Sequence, residues 1–158
     1  PELEFVKHML LHLKNKENYI PDIVVRMMAT IPLQKTIDID NVIEILIKDE
    51  NADSAVVISE ARQHPQKALK IIKKENGESN LVSFFSESGR EVTGLARQNY
   101  EKAYFRGNII AFKLPVIYKT NSLTGDNVRF HIIPQERAID IDSEIDFVIC
   151  ENLMKNNK

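Results

Sequence analysis

Unbroken apolar runs alternate with stretches of helical period along this chain, and that alternation most narrows the fold. Residues 53–60 carry Ala55, Val56, Val57 and Ile58 in one row. A strand with one wet face alternates apolar and polar residues, whereas a continuous apolar row needs cover on both faces. Residues 22–28, 107–113 and 128–133 read as further strands. Between them, Leu3, Val6, Leu10 and Leu13 recur at helical spacing within 2–16, and Val42, Ile43, Ile45 and Leu46 within 40–48. Residues 114–119 read as a short helix and 144–155 as the last one. Helices alternating with buried strands predict an α/β protein with a parallel, doubly wound layer. The middle breaks the pattern. Residues 68–73 and 81–85 flank Glu75-Asn76-Gly77-Glu78, and Asn-Gly is a hairpin turn signal.

The 158 residues suffice for one domain with a core of its own. A formal charge of −2 gives no basic footprint for nucleic acid, and no apolar run approaches membrane-spanning length. The single cysteine, Cys150, falls in the predicted last helix, where a small buried hydrophobe is expected. A cytoplasmic location is the default expectation. Pro1, Glu2 and Glu4 have a helix-start pattern, yet the residue that should cap that helix would precede Pro1. The chain is therefore expected to begin inside a longer protein.

One tetrapeptide occurs twice, as Ile37-Asp38-Ile39-Asp40 and Ile139-Asp140-Ile141-Asp142. In the first copy, Asp38 or Asp40 reads as the N-cap of the helix that follows. The second copy has two readings. Run extended, it sets both carboxylates on one face, and two close carboxylates call for a cation such as magnesium. Alternatively it is another helix start, since Ser143 and Asp146 have capping-box spacing ahead of Ile145, Phe147, Ile149 and Leu153. Spacing leaves both open.

Other chemistry-bearing residues read blandly. His8 and His12 lie one helical turn apart without a third ligand, which predicts a solvated face. His64-Pro65 predicts a turn. Lys67, Lys70, Arg90, Arg97, Lys102 and Arg106 make the middle locally basic, interleaved with Glu75, Glu78, Glu87 and Glu91. The five glycines are scattered, and none completes a phosphate loop.

In order, these segments run Tyr19-Ile20-Pro21-Asp22-Ile23-Val24-Val25, Thr30-Ile31-Pro32-Leu33, Ala52 to Ala61, His64-Pro65, Arg97-Gln98, Gly107 to Phe112 and Pro134-Gln135-Glu136-Arg137-Ala138-Ile139-Asp140-Ile141-Asp142. That order resembles the acylneuraminate cytidylyltransferase family, the CMP-sialic acid synthetases and their relatives, across essentially the whole chain. The resemblance implies a Rossmann-like nucleotide-diphospho-sugar transferase fold in αβα layers, with a mostly parallel sheet. It implies one domain over 1–158, incomplete at its N-terminus, with a protruding β-hairpin dimerisation excursion at 68–106. The portion carrying the family's nucleotide loop would precede Pro1, so residues 1–158 alone are expected to be inactive.

The implied activity joins CMP from CTP to an acidic sugar of the sialic acid type, releasing pyrophosphate. Asp140 and Asp142 match the acids that bind Mg2+, and so the catalytic pair. Arg97 matches an arginine of the excursion that reaches the partner's sugar site in a homodimer. Met28, Thr30, Gly107 and Asn108 occupy the other substrate-binding positions. The chain departs from the family's Gln-Pro-Thr-Ser-Pro-Leu-Arg, reading Met28-Ala29-Thr30-Ile31-Pro32-Leu33-Gln34, and Gly107-Asn108 stands for the family's Asn-Gly. A thioether at Met28 cannot replace an amide's donors and acceptor. The alternative reading is a catalytically inactive, dimer-forming relative that binds a sugar or a protein.

Overall fold

A computed structural model describes residues 2–85 and 100–156. They divide into two compact units, one of residues 1–59 with 106–158 and one of residues 60–105.

The larger unit is a four-stranded sheet covered by helices. In chain order it contains α1 (Glu2–Glu17), β1 (Ile23–Arg26), α2 (Thr36–Lys48), β2 (Ser54–Glu60), β5 (Tyr104–Lys113), α3 (Leu114–Thr120), β6 (Val128–Ile132) and α4 (Glu144–Asn156); β2 and β5 run on into the smaller unit at their Glu60 and Tyr104 ends. The strand order is β1-β5-β2-β6. β2 and β6 pair in parallel, with Val56 opposite Phe130, and β1 and β5 pair antiparallel, with Val24 opposite Phe112. The Lys113 N–H donates to the Asp53 carbonyl at 3.1 Å, while Gly107 lies against Val57. Rising numbers in β5 thus meet falling numbers in β2, and β5 opposes both neighbours. β1, β2 and β6 share one direction.

Strand alternation sorts side chains into two buried clusters. Ala55, Val57, Ile109 and Ala111 pack beneath Val42 and Leu46 of α2. Val56, Ile110 and Phe112 face Val6 and Leu10 of α1 and Ile117 of α3. Helices on both faces make the αβα arrangement expected from the apolar runs. Gly107 has a packing reason to be glycine, because a Cβ there would stand 2.6 Å from Val57 Cγ2.

The smaller unit holds the expected hairpin, β3 (Leu69–Lys73) against β4 (Ser79–Ser83), with Lys73 opposite Ser79. Its second arm begins two residues before the expected 81. The Lys74 N–H to Glu78 O bond (2.8 Å) and Gly77 at φ +85° close the turn early. His64 is a turn residue. Its Nδ1 accepts the Gln66 N–H at 3.3 Å, Nε2 lies 2.9 Å from the Glu101 carbonyl, and the ring stacks on Tyr100.

The loop between α3 and β6 is fastened by Asp53. Its Oδ2 accepts the Asp126 and Asn127 N–H groups, both at 2.9 Å. Those two bonds hold the carboxyl below the ordinary carboxylate range. A lowered folded value stabilises the fold above the unfolded pKa of about 3.9, and the benefit is lost as pH falls through the folded value. Asp53→Ala is expected to lower the melting temperature at pH 7 by about 2–4 °C, the shift for a loss near 1 kcal/mol in a chain of this size. The gap from wild type should begin to narrow as pH falls below about 4 and close only below the folded value. Thermal melts at both pH values check this.

Candidate active site

The two tetrapeptides fold differently. α2 begins at Thr36, so the first copy lies inside the helix rather than ahead of it. Lys35 is the N-cap residue, correcting the expectation of Asp38 or Asp40. Asp38 sits at the third helical position and accepts the Lys35 N–H on Oδ2 at 3.1 Å. It is fully buried, and Arg137 Nη1 donates to its Oδ1 at 2.8 Å. His131 Nε2 lies 3.7 Å from the same oxygen. Asp40 is exposed.

Arg137 belongs to a single 3-10 turn, Gln135–Ala138, that leads straight into the second copy. Beyond that turn the backbone is extended at Ile139 and joins no ladder until α4. Ile139 is buried, Asp140 half-buried and Asp142 exposed. The capping bonds at the start of α4 run between other residues: the Ser143 N–H and hydroxyl donate to Asp146 Oδ2 at 3.0 and 2.6 Å. Neither Asp140 nor Asp142 takes part in them.

Three neighbours define the surroundings of Asp140. The Asn108 amide Nδ2 donates to Asp140 Oδ2 at 2.6 Å. The Ile141 N–H donates to the Thr30 carbonyl at 3.0 Å, stitching the loop after β1 to the acidic segment. Arg26, the last residue of β1, donates from Nη1 to the Asn108 carbonyl at 3.1 Å and pairs through Nε with Glu2. Asp140 Oδ1 is buried and has no hydrogen-bond partner among the described residues. A buried carboxylate oxygen left unsatisfied is costly unless something positive reaches it.

The place fits the topology. Ligands of open α/β sheets gather beyond the carboxyl ends of the strands. Arg26 ends β1, and Asp140 follows β6. The reversed strand β5 brings Asn108, at its middle and two residues before the Arg26–Ile110 pair, to the same end.

Of the residues singled out from sequence, Thr30, Asn108 and Asp140 come together. Gly107 adjoins them within β5. Met28 is exposed in the loop after β1. Arg97 lies outside the described residues. Ile31, where the family commonly has serine, is buried, and both amide atoms of Gln34 are buried without a partner among the described residues. His8 and His12 are exposed, Cys150 is buried, and among the described residues no group of three His, Cys, Asp or Glu gathers as a metal cage. No described helix is long and apolar enough to cross a membrane.

The sequence reading missed Arg26, Asp38 and Arg137 as site supports. Arg26 carried a signal: a charge closing the apolar run Ile23-Val24-Val25 needs a partner when half-buried.

No family model matches the chain. It is 30% identical over 135 residues to post-translational flagellin modification protein B of Campylobacter coli, a match covering 85% of this chain and 53% of that protein. The chain thus spans about half the length of the curated relative it matches. Among solved structures, it is similar to CMP:2-keto-3-deoxy-manno-octonic acid synthetase complexed with CTP. The TM-score is 0.59 at 10% identity, over 96% of this chain and 68% of that one. The fold is similar to that of the solved synthetase, over part of its length.

Asp38 separates from Asp40 by experiment. Removing one partner of a buried ion pair leaves the other uncompensated. Arg137→Ala is expected to destabilise the fold by about 3 kcal/mol, and Asp40→Asn by less than about 0.5 kcal/mol. Urea denaturation of the two variants checks the pair of values.

Proposed function

We propose that this chain is the acid-bearing part of a cytidylyltransferase that joins CMP from CTP to an acidic sugar of the sialic acid type. In that reaction a sugar hydroxyl oxygen bonds to the α-phosphorus, the bond to the β-phosphate oxygen breaks, and pyrophosphate leaves. The observation that carries the reading is the unpartnered Asp140 Oδ1 at the carboxyl end of the sheet, with Asp142 two residues on and free of the α4 cap.

The donor set suits Mg2+. This ion is commonly held by one or two carboxylates, with water and substrate phosphates completing its shell. Asp140 and Asp142 would hold it, the rest of its shell coming from water and substrate phosphates. When bound, Mg2+ offsets phosphate charge as the leaving group departs. The residues of the chain set the stage. Asn108 holds one oxygen of Asp140, and the Thr30–Ile141 bond keeps the acidic segment against the loop after β1. Met28 and Thr30, exposed in that loop, would meet the sugar. Arg97 would act from the excursion of a second subunit.

Ile31 and Met28 support a second reading, a dimer-forming relative without activity. Ile31 packs in the core instead of presenting a hydroxyl, and Met28 offers no amide.

In the full-length protein assayed with CTP, Mg2+ and acidic sugars, Asp140→Asn and Asp142→Asn should each cut pyrophosphate release by orders of magnitude. Asp40→Asn should leave the rate near wild type. Equal rates in all three would overturn the cation assignment. Wild type without turnover on any sugar would favour the inactive relative.

The excursion is the proposed contact of a homodimer. Ile71, Leu81, Phe84 and Phe85 are all more than half exposed in this unit. An isologous contact between two such hairpins would cover them. Light scattering should give twice the monomer mass, and Leu81→Lys with Ile71→Lys should halve it.

A further inference from the structure

We infer that Asn108 is a positioning residue that presents Asp140 to its cation through a single oxygen. This inference rests on the cation reading of Asp140 proposed above. A carboxylate can only accept, so at 2.6 Å the Asn108 group facing Asp140 Oδ2 is its NH2. That bond occupies Oδ2 and leaves Oδ1, buried and unpartnered among the described residues, as the oxygen available to a metal. Asp140 is thereby set for one-oxygen ligation, the mode that leaves room on a six-coordinate ion for phosphates and water.

Asn108 is itself restrained from two sides. β5 is laddered to β1 through Ile110 and Arg26, and the Arg26 guanidinium reaches past that pair to the Asn108 carbonyl at 3.1 Å. Glu2 at the start of α1 holds the other edge of the guanidinium, whose side chain is only 16% exposed. Glu2, Arg26, Asn108 and Asp140 form a continuous chain of bonds from a helix start to the acid. Without the amide, Asp140 would rotate freely about its side-chain bonds and bind the ion less tightly.

The test titrates Mn2+, as a paramagnetic probe, into the protein and follows broadening of the Ile139, Ile141 and Asp142 amide signals. Wild type should show saturable broadening there. Asn108→Ala should weaken Mn2+ binding about tenfold or more, the usual cost of losing a group that orients a metal ligand. Asn152→Ala, which removes an amide bonded to Val148 O on α4, should leave it unchanged. If Asn108→Ala does not fold, Arg26→Met decides, because it keeps the stem and removes the guanidinium's bonds to the Asn108 carbonyl and to Glu2. It should weaken binding by severalfold. Wild-type affinity in Asn108→Ala, or in Arg26→Met where that variant decides, overturns the positioning role while leaving the cation reading intact. Absence of localised broadening in wild type overturns both.

Discussion

The arrangement around Asp140 depends on one buried ion pair, Arg137 with Asp38. Asp38 is wholly inside, where a carboxylate is stable only if its oxygens are engaged. One oxygen takes the Lys35 N–H and starts α2; the other takes Arg137 and anchors the 3-10 turn. Two elements nearly a hundred residues apart are thus joined at the point where the chain turns toward Asp140. Breaking the pair would release the turn, and the segment after it would lose its fixed approach to Asn108 and Thr30.

The same four residues therefore do opposite work at their two places. In α2 the acid turns inward and is consumed by structure. After the 3-10 turn Asp140 keeps one oxygen without a partner among the described residues and Asp142 is exposed, while Ser143 and Asp146 start the next helix. Spacing could not separate these outcomes, because both copies are followed by an apolar run of helical period. What separates them lies outside the tetrapeptides. The Asp38–Lys35 bond starts α2 ahead of the first copy's acids, and the Ser143–Asp146 pair relieves the second of capping.

Much of the fold was legible from local pattern. The row Ala55-Val56-Val57-Ile58 announced a strand covered on both faces, and alternation in β2 and β5 divides those residues between the two helical layers. The reversal of β5 was not legible, since direction is set by where the chain re-enters the sheet. That reversal brings Asn108 to the end where β1 stops and Asp140 follows β6. The motif resemblance pointed to Asp140, Asn108 and Thr30, which the fold brings together, but not to Arg26, which reaches across to a neighbouring strand's carbonyl. Ile31 and Met28 are two of the places where this chain departs from the motif it resembles, one by filling the core and the other by exposing a thioether.

The most direct test of this account is an anomalous difference map from crystals soaked in Mn2+. The account predicts one peak in coordination contact with Asp140 Oδ1, with Asp142 in its shell, and no density at Asp38 or Asp40. A peak beside Asp38, or none at Asp140 in a well-occupied soak, would contradict it.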